Sequence, residues 1–362
     1  MFAPTRYLEW ARRFYGKVRF DLATSGMPTV PLAEIGRLPD AAHLDDVSGW
    51  ARLREGIAAY NDVPPDEAVA ALGTTHALWL AYAALTSPGD EVLVEAPGYE
   101  PLTRIAEGVG ARVATFAREP REAFALDPGR VARAMTSRTR LVAVTNLHNP
   151  SGVRASDDVL REIARAAAAR GGYLLVDEVY APFDALVDTD GVFRNSARKI
   201  APNVVAVGSL TKCYGLGPHR IGWLLGPREV IARADDAVTA GCGMLPLSHA
   251  HLALRAFGRI GPLAVRARAA LAGKRARVAS WVEAQGLGWS APEDGLFGLA
   301  LVPGAGDLTA AIEAAAREHE VLVAAGAFFG VPDGFRLAWS APNEKLEEGL
   351  ARLALALPAM RR

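Results

Sequence analysis

Lys212 lies just beyond an apolar run, Val204 to Val207, in the stretch VVAVGSLTKCYGLGPHRIGWLLG that spans residues 204–226. Hydroxyls (Ser209, Thr211) precede it and glycines follow it. Arg220 stands eight residues on, ahead of a second apolar run from Ile221 to Leu225. An amine placed there has two possible roles. It can be a solvated loop charge, the ordinary fate of lysine. Or it can condense with a carbonyl, above all a cofactor aldehyde, while Ser209 and Arg220 hold an anion beside it.

Other charges sit where charge needs a reason. Asp177 ends the apolar strand Tyr173-Leu174-Leu175-Val176, and Arg336 interrupts the apolar strand FRLAWS. A carboxylate or guanidinium that loses water needs an opposite partner; an edge-strand arginine on a solvated face is the simpler alternative. Gly73-Thr74-Thr75 precedes a helical run from Ala77 to Leu85. It reads as an ordinary N-cap or as an anion cradle, because first-turn N–H groups lack internal partners. Asn146, His148 and Asn149 follow the buried-type strand Leu141–Thr145, at the edge where open α/β sheets bind ligands. His148 reads as a lining or hydrogen-bonded loop residue. Asp177-Glu178 at a strand end would also suit a metal, but no cluster of ligand spacing accompanies it, so no metal is expected.

The lysine segment resembles the corresponding motif of the class I/II aminotransferases, the fold-type I group that uses pyridoxal 5'-phosphate. Hydroxyl, lysine, glycine-rich turn and arginine match at Ser209, Lys212 and Arg220, and the likeness extends in order over most of the chain. The resemblance implies Lys212 as Schiff-base lysine and acid–base catalyst. It implies a phosphate site at Gly73, Thr74, Thr75, Ser209 and Arg220, and Tyr99 stacked on the cofactor ring. Asp177 would meet the ring nitrogen, with Asn149 and Tyr180 at the ring's O3'. On the substrate side it implies Gly26, Asn149 and Arg336, the arginine receiving the α-carboxylate. Its fold would be α/β: a large domain with a mainly parallel seven-stranded sheet between helices, plus a smaller α/β C-terminal domain. Activity would be transfer of an amino group between an L-amino acid and a 2-oxo acid in a homodimer. The neutral stretch Met244-Leu245-Pro246-Leu247 favours a substrate with an uncharged or apolar side chain. A lyase, cyclase or decarboxylase on the same scaffold is the alternative, since the binding constellation would be the same. One departure stands out: the family often has a tyrosine before the first large-domain helix that reaches the other subunit's phosphate. Here His43, Leu44, Asp45 and Asp46 occupy that place, with His43 a weak substitute.

The remaining composition restricts partners. Among 362 residues, 40 Lys+Arg balance 40 Asp+Glu, so no basic bias points to nucleic acid or a membrane surface. Two cysteines (213 and 242) cannot build a disulfide framework or a sulfur-rich metal site. No long charge-free apolar run or leader-like N-terminus is evident, and the expected location is cytoplasmic. A nucleotide-binding α/β protein would need a glycine fingerprint after its first strand, which is absent in that order. The expected organisation is an N-terminal segment (1–46), a large cofactor-binding domain (47–261) and a small domain (262–362). Periodicity predicts helices over 1–20, 49–60, 77–85, 126–135, 156–170, 228–240, 263–285, 307–320 and 342–358. Trp10, Met27, Phe328 and Phe329 are candidate linings of the substrate pocket.

Overall fold

The computed structural model describes residues 2–36, 46–184, 191–290 and 292–361. A short strand β1 (Phe20–Asp21) precedes seven strands that form one sheet: β2 (Ala68–Leu72), β3 (Glu91–Ala96), β4 (Arg112–Ala117), β5 (Thr139–Thr145), β6 (Tyr173–Asp177), β7 (Val204–Ser209) and β8 (Ile221–Leu225). Their spatial order is β2-β8-β7-β6-β5-β3-β4. The strands β7-β6-β5-β3-β4 run parallel, while β8 is antiparallel to both its neighbours. The near-continuous apolar runs of β5, β6 and β7 follow from helices covering both faces. Alternation then sorts the side chains. Val142, Val144, Leu174, Val176, Val204 and Ala206 face a core shared with helices Gly49–Asn61, Asp157–Ala168 and Leu247–Phe257. Leu141, Ala143, Leu175, Val205 and Val207 face the opposite core, shared with helices Gly73–Leu85 and Arg228–Cys242.

The C-terminal part carries a second sheet. Strands β9 (Gly288–Ser290), β10 (Phe297–Leu301), β11 (Val321–Leu322), β12 (Ala324–Ala325) and β13 (Gly334–Ala338) follow in the chain. Four of them form an antiparallel sheet in the order β12-β13-β10-β9, while β11 pairs in parallel with β1. A separate apolar core gathers Leu337, Trp339, Ile312 and Leu353 together with Tyr7, Trp10 and Leu22 from the N-terminal segment.

Two expected helices differ from those observed. The single helix expected over 1–20 is confined to Arg6–Phe14, and the chain then passes Gly16 (φ +73°) into β1. The long helix expected over 263–285 is two, Ile260–Leu271 and Lys274–Ala284, because Gly273 between them adopts φ +73°, outside helical space. Nearby, Val321–Leu322 and Ala324–Ala325 are short strands of two different sheets. Among the described residues, no helix is long and apolar enough to cross a membrane.

Candidate active site

Register alone assembles the centre. Thr145, Asp177 and Val207 lie side by side at the carboxyl ends of β5, β6 and β7, so Ser209 and Lys212 leave the sheet next to Asp177. On the other side, Leu72 pairs with Ile221, which brings Gly73 across from Arg220. Ser209 pairs with Gly222 in the same corner.

That corner is built for an anion. The Thr74 hydroxyl donates to Ser209 Oγ at 3.0 Å, and Ser209 and Thr211 hydroxyls meet at 2.7 Å. Thr74 sits in the first turn of helix Gly73–Leu85, whose leading N–H groups are free of intrahelical partners. Arg220, itself at φ +54°, lays its guanidinium against Gly73. A Cβ at Gly73 would stand 2.4 Å from Arg220 Nη2, and the residue also has φ +77°, so a larger residue there would push the guanidinium aside and strain the backbone.

Asp177 is 2% exposed. The hydrogen bond its carboxylate accepts among the described residues comes from the Val179 N–H at 3.1 Å. Burial pushes its pKa up to about 7, against the pull of that bond and of Lys212. Such a carboxyl is short of one cation. Lys212 is half-buried, and burial holds its amine below the usual lysine range. Tyr7 and Asp177 oppose that shift, while Arg336 and Arg220 add to it. Gly26 runs beside this lysine: a Cβ there would lie 3.6 Å from Lys212 Cδ, and the Met27 N–H donates to the Lys212 carbonyl at 2.8 Å.

Arg336 is fully buried. Its Nη1 donates to Asn149 Oδ1 at 2.7 Å and its Nη2 to Tyr7 Oη at 2.7 Å and the Ala23 carbonyl at 3.1 Å, yet its buried Nε has no partner among the described residues. The solvated-edge alternative for this arginine is thereby excluded. Tyr180 donates to Ser25 Oγ at 2.8 Å, and the Tyr99 hydroxyl lies near the Thr75 side chain. Burial raises the pKa of both phenols. His148 is buried between Ser151 Oγ (2.6 Å) and the Pro97 carbonyl (2.9 Å), and burial keeps it neutral. Trp10 is a core residue packed on Phe14 and Phe328 rather than a free pocket wall. Residues 43–45 of the substitute phosphate contact lie outside the described residues.

Tyr7 and a buried pair behind Asn149 also join the site, and the sequence had singled out neither. Glu95 accepts from Arg118 Nη1 at 2.7 Å and from the Thr145 N–H and hydroxyl at 2.7 and 2.6 Å. Thr145 Oγ1 in turn accepts the Asn149 N–H at 2.9 Å. An acidic residue inside the apolar strand EVLVEA was the available signal for Glu95. Nothing local marked Tyr7. Among the described residues, no group of three or more His, Cys, Asp or Glu is placed to hold a metal ion.

Residues 27–353 match the family model Aminotransferase class I and II. The chain belongs to that family. Its cofactor is pyridoxal phosphate, and the donor set agrees. Hydroxyls, a helix start and Arg220 suit a phosphate, and the carboxyl of Asp177 lacks a cation of the kind a protonated pyridine supplies. Among similar proteins, capreomycidine synthase of Streptomyces vinaceus is 30% identical over 96% of this chain and 92% of its own length. The structure of the PLP-dependent cyclase OrfR superposes with a TM-score of 0.85 at 27% identity, covering 99% of this chain and 98% of that one. A Thermus thermophilus aspartate aminotransferase double mutant gives 0.82 at 26% identity, with 98% and 97% covered. The protein is thus a PLP-dependent enzyme of the aminotransferase fold.

Proposed function

We propose that this enzyme binds an L-amino acid with an uncharged or apolar side chain through its α-carboxylate and moves the α-amino group to a 2-oxo acid. The observation that carries this reading is Arg336: a fully buried guanidinium with an unpartnered Nε, held by Asn149 in a site that also holds the Lys212 amine. A planar donor of that kind suits a carboxylate. When bound, the cofactor supplies an electron sink for charge developing at the substrate α-carbon.

The chain's own residues then have distinct tasks. Thr74, Thr75, Ser209, Arg220 and the Gly73 turn hold the phosphate. Asp177 would keep the ring nitrogen protonated, and Tyr99 would hold the ring. Asn149 and Tyr180 would serve its phenolic oxygen, and Gly26 would leave room for the substrate. Lys212 anchors the cofactor and then, as a free amine, takes the α-proton and returns it elsewhere. Burial, which holds this amine below the usual lysine range, makes it give up its proton more readily than an exposed lysine would. A homodimer is part of the same reading. Met244, 56% exposed in the loop after helix Arg228–Cys242, and the exposed Val47 supply apolar surface for a partner subunit.

A second outcome of the same proton abstraction is loss of a β-substituent with ring closure. The near-full-length likeness to capreomycidine synthase and to a PLP-dependent cyclase favours it specifically. Both readings are tested by incubating the cofactor-loaded enzyme with a panel of amino acids plus pyruvate or 2-oxoglutarate and identifying products by mass spectrometry. Transamination yields a new 2-oxo acid and a new amino acid in equal amounts. Release of a β-leaving group without amino transfer would replace the first reading by the second, and no turnover of any amino acid would remove both.

A further inference from the structure

Tyr7 reaches the centre of the site from the N-terminal helix, far from it in sequence. Its oxygen accepts a hydrogen bond from Arg336 Nη2 at 2.7 Å and lies 2.8 Å from Tyr15 Oη. Tyr15 uses its single hydroxyl proton on the Ala23 carbonyl at 3.1 Å, so in the Tyr7–Tyr15 contact Tyr7 is the donor. The phenol's hydrogen therefore points away from the guanidinium and its lone pairs point toward it. Burial alone would raise this phenol's pKa, but Arg336 and then Lys212 pull it below the usual tyrosine value.

Both sides of the site fix the ring. The Arg6 and Tyr7 N–H groups, at the start of helix Arg6–Phe14, donate to the Glu100 carboxylate at 3.2 and 2.8 Å. Glu100 begins the helix that follows Tyr99, and Tyr99 meets the Tyr7 ring edge-on at 6.2 Å. From the small sheet's side, Phe329 packs on Tyr7 at 5.2 Å.

A count of donors shows what the contact does. A guanidinium has five N–H groups. Asn149, Tyr7 and Ala23 take three of them, which leaves the buried Nε and one N–H of Nη1. We infer that Tyr7 is a positioning residue for Arg336: it holds Nη2 so that the remaining donors meet the substrate carboxylate. This rests on the proposed role of Arg336 and adds to it a residue acting through the arginine.

The experiment compares two ligands of the cofactor-loaded enzyme by titration calorimetry. 2-Methylalanine carries a carboxylate but no α-hydrogen; isopropylamine is the same molecule without the carboxylate. Tyr7→Phe keeps the ring and removes the hydroxyl. It should weaken 2-methylalanine by about tenfold or more, the loss of one hydrogen bond to a charged group, and leave isopropylamine within about twofold. In turnover the same variant should raise KM more than it lowers kcat. Glu100→Gln, which weakens the clamp on the helix start, should shift the ratio of the two affinities the same way by less. Equal weakening of both ligands by Tyr7→Phe, or of neither, overturns the inference. Arg336→Lys separates the two levels. If it leaves the preference for 2-methylalanine intact, the carboxylate role of Arg336 itself fails. If it abolishes the preference while Tyr7→Phe does not, only the role of Tyr7 fails.

Discussion

Asp177→Asn should make the cofactor-free protein more stable at alkaline pH while weakening its grip on the cofactor. Burial raises this carboxyl from its ordinary 3.8 to about 7, with the Val179 N–H and Lys212 pulling the other way. An acid whose folded pKa exceeds its unfolded one binds its proton more tightly when folded. The stability it contributes is therefore present at low pH, declines as pH rises from about 4 to about 7, and is gone above that. Three pH units at about 1.4 kcal/mol each give a ceiling of about 4 kcal/mol. Asparagine has no charge to desolvate, and its Oδ1 still accepts from Val179. Its buried amide hydrogens need a partner, which offsets about 1–3 kcal/mol of the gain. The offset is independent of pH, so the comparison belongs between two pH values. Relative to wild type, the variant should gain about 2–3 kcal/mol between about pH 5 and about pH 8. Urea unfolding of the cofactor-free proteins at both pH values measures this. In parallel, cofactor affinity should fall about 10- to 100-fold, because a charged hydrogen-bond partner has gone. A stability difference that does not change with pH, or an unchanged cofactor affinity, would refute the reasoning.

Gly73→Ala should weaken cofactor binding about tenfold or more, because its Cβ would stand 2.4 Å from Arg220 Nη2. Gly89→Ala, at φ +92° with open space around it, carries the backbone strain without the crowding; equal cofactor affinities in a fluorescence titration would dismiss the crowding argument. Arg118→Met should destabilise the protein by about 3 kcal/mol near pH 8, since it leaves the fully buried Glu95 without its cation. Burial raises the Glu95 pKa even with Arg118 present, so in the variant the carboxyl takes up a proton as pH falls and the loss shrinks. A loss that grows toward acid in urea melts would contradict this.

The central strands were legible because each is buried on both faces, and a run such as Leu141–Val144 or Val204–Val207 has no other comfortable place in water. Lys212, Asp177 and Arg336 stood out for the converse reason: charge beside or within such runs demands a partner. The helix boundaries at Gly16 and Gly273 were harder to read, since a helical apolar pattern continues across a single residue whose φ is positive.

Sequence by itself thus determined the sheet's interior strands, the charged residues that cannot be mere packing, and the family to which their order belongs. Only the tertiary structure decided which distant groups share those charges. Strand register sets Gly73 opposite Arg220, and the docking of a nine-residue helix brings Tyr7 onto Arg336. Burial leaves a mark along the chain as hydrophobic periodicity, whereas a hydrogen bond between residues that far apart depends on how whole elements pack and leaves no local pattern.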